Sequence, residues 1–225
     1  LHCYSLKNGK EIWNFKTDKP LIKSQKKNSL IIKKNNIIFN NSVGDITAVN
    51  SETGELVWQA PTQSKKIYDE SMFFKNSDLI SAKNSIFFSN NNNGFFSLDA
   101  DSGLVNWKQK INSNVRPVFF NNLIFTITNE SYLVVIDNES GNLIRSNYLL
   151  GNFKKKKREK IKPVGFIVGL INIYLTLNNG KLLVVDIKTG SVNTVLKIDK
   201  EKISSPVVQG QNLYVAKNNS IIKLN

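Results

Sequence analysis

Five glycines constrain this 225-residue chain more than any other feature. Gly9, Gly54, Gly103, Gly141 and Gly190 each close a short polar stretch that opens on an apolar residue and, in most copies, Asp or Asn. The fullest copies are Val49-Asn50-Ser51-Glu52-Thr53-Gly54-Glu55-Leu56-Val57-Trp58 and Leu98-Asp99-Ala100-Asp101-Ser102-Gly103-Leu104-Val105-Asn106-Trp107. The first copy runs Ser5-Leu6-Lys7-Asn8-Gly9-Lys10-Glu11-Ile12-Trp13, and shorter ones are Ile136-Asp137-Asn138-Glu139-Ser140-Gly141 and Val185-Asp186-Ile187-Lys188-Thr189-Gly190. The glycines are 45, 49, 38 and 49 residues apart, and the chain's 3 tryptophans (Trp13, Trp58 and Trp107) all stand four positions after one. Arg145 and Thr194 occupy that place in the last two copies.

A period of roughly 40 to 50 residues is the length of a four-stranded propeller blade. The third copy divides accordingly into Leu79–Ala82, Ser85–Ser89, Phe95–Asp99 and Leu104–Lys110, with turn residues between the runs. The turn at Asn91-Asn92-Asn93-Gly94 recurs as Val43-Gly44, Asn178-Asn179-Gly180 and Asn218-Asn219. Gly and Asn suit such turns because they accept positive φ at low cost. Runs such as Leu133–Ile136 and Leu182–Val185 are apolar at successive residues, as strands buried on both faces are. The expected architecture is all-β: one propeller domain over 1–225 of four-stranded antiparallel blades. The blades fall near 1–20 (partial), 28–62, 78–112, 114–149, 160–199 and 203–225 (partial), with insertions at Gln63–Asn76 and Gly151–Lys160. About four full blades and two partial ones imply an incomplete ring, truncated on its N-terminal side, whose last blade lacks only a fourth strand.

Composition narrows the chemistry. The net charge is +14. An excess of this kind suits a polyanion, an acidic partner or an anionic membrane, but Lys, Asn, Ile and Phe are abundant together, as AT-rich coding alone produces. A single cysteine, Cys3, rules out an intrachain disulfide, and a single histidine, His2, leaves nothing to build a His-based triad or metal cluster. Leu1-His2-Cys3 could suggest a lipidated cysteine, but Cys3 falls inside a strand of the first repeat and is expected to be buried. No targeting segment is in view.

The stretch Leu98–Trp107 closely resembles the PQQ-like (quinoprotein-type) propeller repeat. So does Ser204-Ser205-Pro206-Val207-Val208 followed by Asn212-Leu213-Tyr214-Val215. Within that family the size of the blades, the plain loops and the sparse catalytic inventory look most like the outer-membrane protein assembly factor BamB. This resemblance implies a periplasmic, outer-membrane-associated lipoprotein scaffold without cofactor. Its partners would be other proteins of the β-barrel assembly machinery, not nucleic acid, and its membrane contact would be an upstream lipid anchor. The related quinone-dependent dehydrogenases imply an alternative, PQQ held with Ca²⁺ beside a catalytic carboxylate. A third reading is a propeller with an unassigned binding role.

The candidate residues divide on these readings. Asp99, Asp137 and Asp186 are the obvious carboxylates, yet they are repeat-equivalent, which fits turn capping in every blade. Asp45, Asp69 and Glu70 fall on expected loops with nothing converging on them. The tryptophans could stack on a quinone, but their common register fits docking between blades, where such a ring buries roughly 150–250 Å². Lys154, Lys155, Lys156, Lys157 and Arg158 form a basic run that could bind an anionic surface; its plainer reading is a solvated, mobile loop. Val164–Leu177 is apolar but shorter than the roughly 20 residues a spanning helix needs, and it falls on two expected strands.

Overall fold

The structure, a computed structural model, describes residues 1–17, 28–41, 44–62, 76–90 and 94–224. The expected turn at Asn91–Asn93, Val43, and most of the Gln63–Asn76 insertion, with Asp69 and Glu70, lie outside those residues. The chain is divided into two compact units, Leu1–Asn114 and Val115–Asn225.

In the first unit, β1 (His2–Tyr4) pairs with β2 (Glu11–Asn14). A four-stranded sheet follows, β3 (Leu30–Lys33), β4 (Asn36–Asn40), β5 (Ile46–Asn50) and β6 (Leu56–Ala60). The next sheet holds β7 (Ile80–Ala82), β8 (Ser85–Asn90), β9 (Gly94–Asp99) and β10 (Val105–Gln109). Each four-stranded sheet is an antiparallel meander in chain order. The middle strands are the buried ones: five successive residues of β8 and five of β9 are inaccessible. Phe88 stacks on Phe96 at 5.2 Å between ring centroids, within a core that also holds Ile38, Ile46, Leu79, Ile86 and Leu98.

The second unit repeats the pattern. One meander is β11 (Val118–Phe120), β12 (Leu123–Ile127), β13 (Tyr132–Asp137) and β14 (Leu143–Tyr148). The other is β15 (Pro163–Val168), β16 (Asn172–Leu177), β17 (Lys181–Asp186) and β18 (Val192–Lys197). The short helix α1 (Lys155–Arg158) lies between them. A three-stranded sheet closes the order with β19 (Val207–Gln209), β20 (Asn212–Lys217) and β21 (Ser220–Leu224). The apolar stretch Val164–Leu177 forms β15, β16 and their turn, and no helix among the described residues is long and apolar enough to cross a membrane. Leu133, Val134, Val135 and Ile136 are buried throughout; in β17 Val184 is half-buried and packs with Leu213 of the next sheet.

Three of the repeat glycines, Gly54, Gly103 and Gly190, are points where neighbouring sheets meet within a unit. All five have φ between +68° and +74°. In each turn the glycine N–H donates to the carbonyl four residues back, from Gly9 to Ser5 through Gly190 to Asp186, at 2.8–3.0 Å. Gly54 and Gly103 face a further constraint. A Cβ on Gly54 would lie 2.6 Å from Trp13 Cδ2, and one on Gly103 would lie 2.5 Å from Trp58 Cε3. Gly9 has the same backbone conformation, but nothing lies within 4 Å of a Cβ there.

These two glycine environments separate strain from collision. Gly9→Ala is expected to cost about 1–2 kcal/mol, the usual penalty of a left-handed L-residue. Gly103→Ala adds overpacking of roughly 1–3 kcal/mol. Urea denaturation of the two variants should therefore show a clearly larger loss for Gly103→Ala; equal losses would mean that the tryptophan contact carries no weight.

Candidate interaction surface

The residues singled out by the sequence are used first for architecture. Trp13, Trp58 and Trp107 are buried in largely exposed outer strands, at 8–9% exposure. A β-bulge directs each one. In all five copies the ladder between third and fourth strands slips by one residue just after the repeat glycine. The residue four positions after the glycine is thereby set opposite an inner-strand partner: Trp13 faces Cys3, Trp58 faces Ala48, Trp107 faces Ser97, Arg145 faces Val135 and Thr194 faces Val184. Bulges re-aim side chains in this way. The skipped residue projects outward, which accounts for the exposure of Ile12, Val57 and Ile144.

Two of the rings are also fixed by a hydrogen bond to the next blade. Trp13 Nε1 donates to Ser51 O at 3.1 Å and Trp58 Nε1 to Ala100 O at 3.3 Å. Both acceptors stand three residues before the next repeat glycine. Trp107 packs against Phe87 and Phe95 of its own sheet, with centroids 5.8 and 6.0 Å away. Arg145 reproduces the docking by other chemistry. Its Nη2 donates to Ile187 O at 2.8 Å, the carbonyl three residues before Gly190, and its Nη1 donates to Lys188 O. A Cβ on Gly190 would fall 3.1 Å from Arg145 Nε and 2.6 Å from Asn147 Cγ. Thr194 is exposed.

The carboxylates are absorbed by their own turns. Asp99 Oδ1 accepts from Ser102 Oγ at 2.7 Å, Ser102 N at 2.8 Å and Asp101 N at 3.1 Å, and its other oxygen accepts from Asn84. Asp137 makes the same set with Ser140 and Glu139, and Asp186 with Thr189 and Lys188. The Ser102 hydroxyl, with the turn N–H groups, holds the Asp99 carboxyl below the usual carboxylate range. The Thr189 N–H and hydroxyl do so for Asp186. Such groups are poor bases. Asp45 accepts from Gln59 Nε2 and Thr62 N at 3.3 and 3.4 Å. Among the described residues no three His, Cys, Asp or Glu side chains come together to hold a metal ion. A quinone with Ca²⁺ needs converging oxygen ligands, and the repeat carboxylates, each in a different sheet, do not supply them. Cys3, expected to be buried, is half-buried, since its sheet has two strands among the described residues.

The basic run is more ordered than a plain loop. Lys155–Arg158 form one helical turn, closed by bonds from Lys157 N to Lys154 O and Ile161 N to Arg158 O. Arg158 differs from its neighbours. Its Nε donates to Phe153 O at 2.8 Å and its Nη2 to Gly151 O at 2.7 Å, and its guanidinium lies 5.8 Å from the Tyr148 ring centroid. Phe153 is buried beneath the turn with Lys181 over its ring, and Ile161 is buried on the far side. Lys154, Lys155, Lys156 and Lys157 remain exposed. Nearby, Asp199 clamps the connection between β18 and β19. It accepts from Lys200 N at 2.6 Å, Glu201 N at 3.0 Å and Lys217 Nζ at 2.6 Å. Nothing in the repeat marks Asp199, whereas Arg145 was findable from its register with the tryptophans.

Comparison with known proteins decides the family. The family model described as outer membrane protein assembly factor BamB matches residues 1–147. The chain belongs to the BamB family. No curated protein matches the sequence. Among solved structures, BamB from Moraxella catarrhalis superposes with a TM-score of 0.77 at 12% identity, covering 96% of this chain and 63% of that one. The computationally designed Ika8 protein gives 0.71 at 12% identity, covering 99% and 64%. The Cps50 (Swd1) β-propeller domain of Myceliophteria thermophila gives 0.65 at 11% identity, covering 90% and 64%. The propeller fold expected from the repeat is thereby shown, and this BamB-family chain spans just under two thirds of each of those structures.

Two variants test the contacts described. Arg145→Lys keeps the charge but cannot reach both carbonyls with a planar fork; a loss of about 1.5–3 kcal/mol, as for a charged hydrogen bond, is expected in denaturant titrations, and Arg145→Lys behaving as wild type would refute the docking role. Lys217 and the turn N–H groups lower the Asp199 pKa from 3.8 to about 2. A depressed carboxylate stabilises the fold above its unfolded pKa and loses that effect as pH falls through the folded one. Asp199→Asn should therefore melt below wild type at neutral pH, with the gap closing between pH 3.8 and about 2.

Proposed function

We propose that this chain is part of a non-enzymatic, BamB-like scaffold that assists the assembly and insertion of β-barrel proteins into the outer membrane. The observation that carries the reading is the family match over residues 1–147. The chemistry of the repeat supports it: every carboxylate the repeat places in register is held inside a turn, and the large rings are docked within or between sheets. What remains for function is surface. The working partners are proteins, above all the periplasmic domains of the barrel-inserting subunit. The compartment is the periplasm beside the outer membrane, and no cofactor takes part.

The protein at full length should bind immobilised periplasmic domains of the barrel-inserting subunit in a surface-based binding measurement. Supplied with PQQ and Ca²⁺, it should give no dye reduction with alcohols or sugars. Failure to bind would remove the scaffold reading, and sustained turnover would replace it with the dehydrogenase one.

A further inference from the structure

The second unit sorts its charge by end. In an antiparallel meander, alternate connections lie at the same end of the sheet. Contacts show those at one end to be continuous. Leu149 N donates to Ser131 O, which joins the turn before β13 to the segment after β14. Asn178 receives Lys162 N and donates to Lys160 O, which joins that segment to the β16–β17 turn. Ile198 N and Asp199 N donate to Gly180 O, and Asp199 reaches Lys217, so the connections before β19 and β21 complete the surface.

This end is basic. Lys154, Lys155, Lys156 and Lys157 stand on the α1 turn, exposed and with no acidic partner within ion-pair distance among the described residues. Lys160 and Lys162 continue the run, and the next connection adds Lys200 and Lys202, all exposed. Glu130, Glu159 and Glu201 share the end, and Asp199 is neutralised by Lys217. The opposite end carries the capped carboxylates Asp137 and Asp186 with Glu139, beside exposed Lys188. Beside the lysines, Tyr132 and Tyr148 pair across β13 and β14 with ring centroids 5.0 Å apart and remain 41% and 38% exposed.

We propose that this basic end docks on a bilayer surface rich in anionic phospholipid headgroups. Four features favour that occupant. The exposed cations are all lysines, hydrated point charges, while the one arginine of the run is turned inward; the bidentate geometry that reads a particular phosphate or carboxylate is missing. Lysine is depleted from the cores of protein interfaces, whereas a fluid headgroup layer lets it stay hydrated. Tyrosine beside lysine suits the polar boundary of a membrane. Single-stranded nucleic acid needs open ring faces for stacking, but Tyr148 is engaged by Tyr132 and Arg158, and Phe153 is buried. The proposal does not depend on the scaffold reading, and it adds a contact separate from any lipid anchor.

The test is sedimentation of the full chain with phosphatidylcholine vesicles, with and without phosphatidylglycerol. Each lysine near an anionic surface contributes about fivefold to partitioning. K154Q/K155Q/K156Q/K157Q should lower binding to phosphatidylglycerol vesicles several-hundredfold, and K155Q/K156Q about twenty-five-fold. K7Q/K10Q/K16Q/K110Q, which removes the same charge from exposed sites in the first unit, should stay within a few-fold of wild type. Raising salt should weaken wild-type binding, and plain phosphatidylcholine should retain nothing. Equal losses in the two quadruple variants would overturn the proposal in favour of net charge alone. So would no wild-type binding, or tighter binding to a duplex oligonucleotide or polyglutamate than to the vesicles. Circular dichroism melts confirm that each variant is folded; should the quadruple variant fail that check, the double variant decides.

Discussion

Neighbouring sheets within each unit are joined by one recurring contact, a side chain from an outer strand pressed onto the repeat glycine of the next blade: Trp13 on Gly54, Trp58 on Gly103 and Arg145 beside Gly190. Everything local is arranged for it. The bulge turns the side chain inward, the left-handed glycine opens a surface without a Cβ, and the carbonyl three residues earlier offers an acceptor at the edge of that surface. Burial of a tryptophan ring supplies the driving force, and the hydrogen bond fixes its orientation. Each contact joins neighbours in sequence, so stability in such an array is close to a sum of blade terms and nearest-neighbour terms.

That arrangement uses the repeat carboxylates inside their own turns. Asp99 and Asp186 have carboxyls held ionised by three or more donors, and a base so well solvated by its own turn has no reason to take a proton. The Lys154–Lys157 turn is built on the opposite principle. Phe153, Ile161 and Arg158 hold it down, so that four charged side chains are presented on a firm base instead of a slack loop.

Much of the fold was legible because the repeat imposes backbone requirements. A positive φ at Gly103 and a close approach of Trp58 can be met by glycine alone, so both leave a mark in the sequence. The aspartates were legible as caps for the same reason, since Asp99, Asp137 and Asp186 hold the same place before their glycines. The bulge left no comparable mark, because Ile12, Val57 and Asn106 share an outward position and no side-chain chemistry. Asp199 was hidden because Lys217, its partner, lies 18 residues away at the end of β20, and among the described residues no other blade repeats the pair. The inward turn of Arg158 depends on which side of a single helical turn meets Tyr148, and a run of five basic residues does not encode that.

The replacement of tryptophan by Arg145 bears on how such a protein is recognised at all. What the neighbouring blade demands is a cavity floor and an acceptor, and a guanidinium satisfies that demand as an indole does. The family pattern matches residues 1–147, the stretch that holds all three tryptophans, while the superposition on a BamB structure covers 96% of the chain. The later blades therefore keep the propeller fold beyond the stretch that the residue pattern matches. Arg145 lies inside the matched stretch, so one docking geometry is filled by two unlike side chains without loss of the repeat around it.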